Sequence, residues 1–286
     1  MHETQVVPRS LLYTSALDKK NFLKIKDCQA DVGVIDLEDG VPYEQKELAR
    51  IHTQEFYSEK HSWQTALRIN PLSKREGLKD VLHIESLTHK PDIIILPMIE
   101  SPIEIILFRK IFSDFNYQPK LYVTVETLPC MRVIYDIAAA CDGLIFGSAD
   151  YAAALGIPIG EWENVLWARC QIVAAATNAC IPAFDTAYFD LHNQQGLQQE
   201  CEKVISLGFS GKTAIHPTQI NVINQKFTPC DAKVEQAKQI IAAEKNAGGG
   251  IARIESQMIG PPFVKLAKKI LARHEELTNE TSIACS

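Results

Sequence analysis

Four segments of this chain end an apolar run on side chains that could do chemistry on an oxygen-rich substrate. Residues 32–35 lead to Asp36, Glu38 and Asp39, and residues 66–67 lead to Arg68 and Asn70. Residues 122–125 lead to Glu126, and residues 144–146 lead to Gly147, Ser148 and Asp150. Carboxylates gathered in one place repel one another unless a cation or a proton offsets them. Surroundings rich in oxygen and poor in histidine favour Mg²⁺ or Mn²⁺ over zinc. Mg²⁺ takes one or two protein carboxylates and leaves its other positions to water and substrate, a role that suits Glu126 and Asp150. Arg68 would then grip a substrate carboxylate through its planar fork. Each acidic residue alone also reads as a helix N-cap or a solvated loop charge. Asp36, Glu38 and Asp39 could simply cap a helix starting near Tyr43.

For these side chains to meet, the strands that carry them must point the same way. Candidate strands lie at 10–13, 32–36, 66–69, 93–96, 121–125, 143–146, 181–184 and, more weakly, 211–214. They are short and often apolar at consecutive positions, as parallel strands covered on both faces are. Between them runs helical spacing, for instance Ile103, Leu107 and Ile111, or Leu166, Cys170 and Val173. Strand–helix alternation repeated in this way predicts a (β/α)8 TIM barrel, whose active site forms at the C-terminal ends of the strands. No GxGxxG follows the first strand, which argues against a dinucleotide fold. A long helix near 232–245, a hinge at 247–250 and a further helix from Pro261-Pro262 predict a C-terminal helical extension. The expected division is a barrel core, 1–228, and an extension, 229–286, packing on a neighbouring subunit. The tail from Glu275 is polar and expected to fray.

Composition narrows the function classes. The 286 residues are 46% hydrophobic, enough for a large core, and the net charge of −6 gives no general basic field for nucleic acid or anionic membrane. The eight cysteines form no CxxC pair, which fits a reduced protein; Cys141 and Cys180 sit in apolar runs as small hydrophobes. No run reaches the roughly 18 apolar residues of a membrane span. Met1–Gln5 lacks a basic region followed by an apolar stretch, so no signal peptide is read there and a cytoplasmic location is expected. Weaker candidates remain. His216 reads as a turn cap, Lys212 as a phosphate ligand or a solvated charge, Asp185 as a ligand-orienting or capping residue. Trp162 and Trp167 read as packing.

Taken together, these segments resemble the citrate-lyase β-subunit-like (CitE-like) branch of the HpcH/HpaI aldolase/citrate lyase superfamily. The resemblance rests on Arg9-Ser10, the Asp36–Val41 segment, Arg68 with Asn70-Pro71, the Glu126 strand, Gly147–Asp150, and the segment from Gly211-Lys212 to His216-Pro217 and Gln219. It runs from about residue 9 to 270. It implies a Mg²⁺-dependent carbon–carbon lyase or aldolase acting on a small hydroxy or oxo acid, as a CoA or acyl-carrier thioester. Glu126 and Asp150 match the metal ligands, and Arg68 the arginine that binds the oxo acid; these three form the catalytic set. Gly147, Ser148 and Arg9 match substrate-binding positions, and Asp36, Glu38 and Asp39 match carboxylates around the metal's waters. Arg9 and the Lys212–His216 segment match the thioester-carrier side. Relatives of this kind form trimers or hexamers.

The chain departs from that pattern in three places. Gly260 stands where relatives carry an aspartate that serves the neighbouring subunit's site as acid/base, help that is typically worth about 10²–10⁴ in rate. Glu255 could compensate only by a shift of register. Met98 replaces a lysine, and Ser15-Ala16 replace Pro-Gly. The alternative reading is a noncatalytic subunit that binds metal and thioester.

Overall fold

The computed structural model describes residues 6–246, 251–254 and 257–284. Met1–Gln5, the 247–250 hinge and Glu255 lie outside the described residues. Two compact units emerge, one from Pro8 to Asn224, the other from Gln225 onward with the stretch before Pro8.

The larger unit is a closed parallel barrel of eight strands in sequence order: β1 Ser10–Ser15, β2 Val32–Asp36, β3 Gln64–Arg68, β4 Ile93–Leu96, β5 Lys120–Val125, β6 Gly143–Phe146, β7 Ala183–Asp185 and β8 Gly211–Ala214. Closure comes from β1 pairing both β2 and β8, with Leu11 opposite Val32 and Thr213. Strands such as β2 and β4 are buried at every position, which is why their sequences are apolar runs without alternation. Gly143 is required by space: a Cβ there would stand 2.8 Å from the Tyr122 ring, which stacks on Phe184 with centroids 5.4 Å apart.

Helix starts and stops follow local chemistry. Ser101 and Glu104 form a reciprocal capping box, with Pro102 opening the helix Pro102–Asp114. That helix buries Ile105, Phe108 and Phe112, whereas Ile103 and Leu107 face outward. Of the two apolar stripes on this helix, the one with the two phenylalanines brings more apolar area to the core. The helix Leu166–Ala179 ends at Cys180, which adopts a left-handed φ of 58° and is exposed, correcting its reading as a buried apolar residue. This stop delays β7 to Ala183. Trp162 packs over the Arg169 guanidinium, but Trp167 is exposed.

In the smaller unit, helices Asp231–Asn246 and Pro261–Ala284 flank a two-stranded antiparallel ladder, Ala252–Ile254 with Gln257–Ile259. Ile259 and Val264 are its buried centre. The last helix continues to Ala284, past the point where fraying was expected. Gly260 caps it, its carbonyl accepting from Phe263 and Val264 N–H groups.

Candidate active site

All strands of the barrel run parallel, so the residues that follow them open onto one mouth. A cavity of about 280 Å³ lies there, and its lining includes Asp36, Arg68, Glu126, Gly147, Ser148 and Asp150. The side chains read as catalytic from their position after strands are thus brought together.

Asp36 and Arg68 are register partners on β2 and β3. Arg68 Nε donates to Asp36 Oδ1 and Nη2 to Oδ2, each at 2.7 Å. Strand register thus gives the Nε–Nη2 side of the guanidinium to Asp36. Arg68 keeps its Nη1 edge, which stands 3.0 Å from Glu38 and 3.4 Å from Asp39. The Glu38 contact lacks hydrogen-bond geometry, and that Oε2 has no hydrogen bond. Asp36 also accepts from the Glu38 and Gly40 N–H groups, shaping the acidic turn. Lys46 Nζ donates to the Leu37 and Glu38 carbonyls, and Asn70 Nδ2 to Leu37. Asn70 is held in turn by Asp80, which pairs with Arg50. The helix-cap reading of the acidic turn gives way to this clamp, in which Lys46 and Asp80 are residues the sequence did not single out.

Glu126 is almost fully buried, and its Oε1 accepts from Met98 N–H at 2.6 Å. Met98 has a left-handed φ of 53°, which turns its amide toward the carboxylate. Gly147 serves by absence: a Cβ there would fall 2.6 Å from Glu126 Cβ and 2.8 Å from its Oε2. Ser148 Oγ donates to Thr186 Oγ1 at 2.9 Å, and Asp150 lies in the first turn of the helix Ser148–Leu155.

The charges are poised for a cation. Burial pushes the Glu126 carboxyl up to about 7, against the Met98 hydrogen bond and with help from Asp150. Burial likewise raises Glu38 to about 9, with Arg68 opposing, and raises Asp150. Among the described residues no three His, Cys, Asp or Glu side chains group around a point. A pair of repelling carboxylates open to water and substrate fits Mg²⁺, which does not need a cage made wholly of protein. Because Glu126 must give up its proton to bind a cation, Mg²⁺ affinity is expected to fall about tenfold per pH unit below about 7 and to level off above it. Calorimetric metal titrations across that range check this; a flat profile would place the metal elsewhere.

Three assigned residues are held by partners of their own. Arg9 precedes β1, at the opposite end of the barrel from the mouth, and its Nε and Nη2 bind Asp31 at 2.9 and 2.7 Å, so its substrate-side role is corrected. Lys212 is fully buried and donates to Asp185, Glu200 and the Thr186 carbonyl at 2.6–2.7 Å. Burial works against that ammonium, but Asp185 and Glu200 outweigh it and hold it above the usual lysine range. It has no donor left for a thioester carrier. His216 is exposed and caps the turn Pro217–Gln219 through Thr218, as its bland reading had it. Asp185 joins Arg169 and Lys212 in a buried ion cluster.

Fold and site together define a (β/α)8 barrel with a carboxylate-lined cavity at the C-terminal mouth of its strands. The chain belongs to the HpcH/HpaI aldolase/citrate lyase family, whose model matches residues 9–217; a C–C bond lyase model of the TIM-barrel fold matches residues 167–276. It is 31% identical to the citrate lyase subunit beta of Haemophilus influenzae, covering 93% of this chain and 96% of that one. It is 29% identical to the mitochondrial citramalyl-CoA lyase of Rattus norvegicus, over 92% and 85% of the two chains. The crystal structure of CitE from Mycobacterium tuberculosis with magnesium, acetoacetate and coenzyme A superposes with a TM-score of 0.82 at 26% identity, covering 94% of this chain and 98% of that one.

Proposed function

We propose that this chain is a Mg²⁺-dependent carbon–carbon lyase that cleaves a 3-hydroxyacyl thioester of coenzyme A into a 2-oxo acid and an acyl thioester. The observation that carries this is the convergence of Glu126, Asp150 and Arg68 on one cavity. Bound there, Mg²⁺ supplies Lewis-acid stabilisation of the carbonyl oxygen that forms on cleavage. Glu126 and Asp150 would hold it, the Met98 N–H fixes Glu126, and the clamped turn of Glu38 and Asp39 would hold water around it. Arg68 adds positive charge beside the oxo acid while Asp36 keeps it in place. The relatives named for citramalyl-CoA and citrate cleavage support this substrate class.

Homotrimeric or hexameric assembly, with the C-terminal extension on a neighbour, is the proposed quaternary arrangement. Exposed Leu78, Leu82, Ile103, Ile106 and Leu107 on two barrel helices support it, since water-facing clusters of this kind favour association. Among the described residues no helix is long and apolar enough to cross a membrane. Cys130, Cys141, Cys170, Cys180 and Cys230 are free thiols, which supports a reducing compartment such as the cytoplasm.

The test is turnover of malyl-, citramalyl- and citryl-type CoA thioesters with Mg²⁺, recording both products by mass spectrometry. Cleavage that EDTA abolishes is expected. Silence toward every thioester, with Mg²⁺ and oxo acid still bound, would favour the noncatalytic subunit. Gly260→Asp is expected to raise cleavage at least about tenfold, since acid–base help typically gives more. A Cβ at this position meets nothing nearer than Pro262 Cδ at 3.9 Å, and aspartate is a favoured cap for the helix that begins there. No gain would mean that another group already fills the role.

A further inference from the structure

Tyr13 brings a phenol to the cavity that the chemistry above does not use. Tyr13 stands on the C-terminal half of β1, the part of that strand that opens to the mouth, and lines the cavity with Glu126 and Asp150. Its ring lies over Arg68, the guanidinium carbon 5.2 Å from the centroid. Among the described residues no hydrogen bond to its hydroxyl is seen, and the side chain is half-buried in the cavity wall. Three neighbouring hydroxyls are committed, Ser15 to the Gly40 carbonyl, Ser148 to Thr186 and Thr213 to the Asp185 carbonyl, while the Thr124 hydroxyl is buried without a partner on the far, β5 wall. Burial, opposed by Arg68 and aided by nearby carboxylates, holds the phenol above its ordinary range, so it stays protonated and a donor.

Position decides what it donates to. β1 lies across the eight-strand ring from β5, which carries Glu126. An oxo-acid fragment held at Glu126 and Asp150 would have the rest of its thioester within the cavity that Tyr13 also lines. Resting on the lyase reading, we propose that Tyr13 is a catalytic residue whose hydroxyl donates a hydrogen bond to the thioester oxygen as that oxygen takes on enolate charge. The carbon–carbon bond breaks and its electron pair passes into the acyl thioester as the enolate. The substrate hydroxyl gives its proton to water as it becomes a carbonyl, and a proton from water returns to the enolate carbon. The phenol keeps its own proton throughout. A donor preorganised on a developing oxyanion acts in the transition state more than in the ground state.

Tyr13→Phe in the full-length Mg²⁺-loaded protein tests this. Expected is a fall in kcat for the best thioester of about 10²-fold, with KM nearly unchanged, as for loss of one oxyanion donor. Mg²⁺ and pyruvate binding by calorimetry should match wild type. Deuterium exchange into the methyl group of acetyl-CoA, followed by NMR with pyruvate present, should slow in parallel because it passes through the same enolate. A variant whose kcat stays within about twofold of wild type overturns the proposal and leaves the lyase reading standing. A fall in kcat matched by an equal loss of Mg²⁺ binding overturns it too, assigning Tyr13 to support of Arg68. A wild-type protein that neither cleaves thioesters nor exchanges acetyl-CoA overturns the lyase reading and the Tyr13 role together.

Discussion

Glu126→Gln is expected to remove Mg²⁺-dependent stabilisation and to lower thioester cleavage on the order of 10³-fold or more, the scale of several kcal/mol of charge stabilisation. Glutamine keeps the size and an oxygen for the Met98 amide, so the 2.6 Å hydrogen bond has an acceptor in the variant. It removes one of the two charges whose repulsion, with burial, raises the Glu126 carboxyl to about 7. The metal-free variant should therefore melt no lower than the metal-free parent at pH 8, because a buried carboxylate no longer has to ionise. Only the increment on adding Mg²⁺ should vanish; for wild type at a hundredfold excess over Kd it is about 2.7 kcal/mol. Thermal melts with and without Mg²⁺ separate the two effects. An unchanged increment in the variant would remove Glu126 from the metal site.

Asp185→Ala is expected to cost stability rather than binding. Asp185 is fully buried between Arg169 and Lys212, at 2.8 and 2.6 Å, and both cations are themselves almost wholly buried. Removing the shared anion leaves two buried positive charges with Glu200 alone to offset them. Breaking a buried ion pair from one side typically costs about 3–5 kcal/mol. For a protein of this size that lowers Tm by roughly 10 °C. Denaturant melts check the figure. A stable Asp185→Ala protein with weakened CoA binding would instead return Lys212 to the thioester side.

Much of the fold was legible because a parallel barrel writes its strands as short apolar runs separated by helical spacing. The runs at 32–36, 93–96 and 143–146 match β2, β4 and β6 residue for residue. β3 begins two residues earlier than expected and β7 two later. Gln64 and Thr65 are too polar to announce a strand, and the helix before Ile181 needs Cys180 in a left-handed turn before the chain can extend. The outward Ile103 and Leu107 show the limit of periodicity: two apolar stripes share one helix, and the core chooses between them by fit.

Placement of Glu126 and Asp150 at the mouth was determined by the sequence alone, because which end of a strand a residue occupies depends only on its place in the chain. How the charged side chains are partnered was decided by the tertiary structure. Arg68 gives its fork to Asp36 through β2–β3 register; Lys212 spends its protons on Asp185, Glu200 and a carbonyl; Arg9 closes on Asp31 at the far end. Tyr13 reaches the cavity by strand geometry, and the Met98 amide reaches Glu126 through a single positive φ. A long side chain can reach acceptors on several neighbouring strands. Which one it meets is set by packing between residues far apart in the chain, and nothing local to the sequence carries that information.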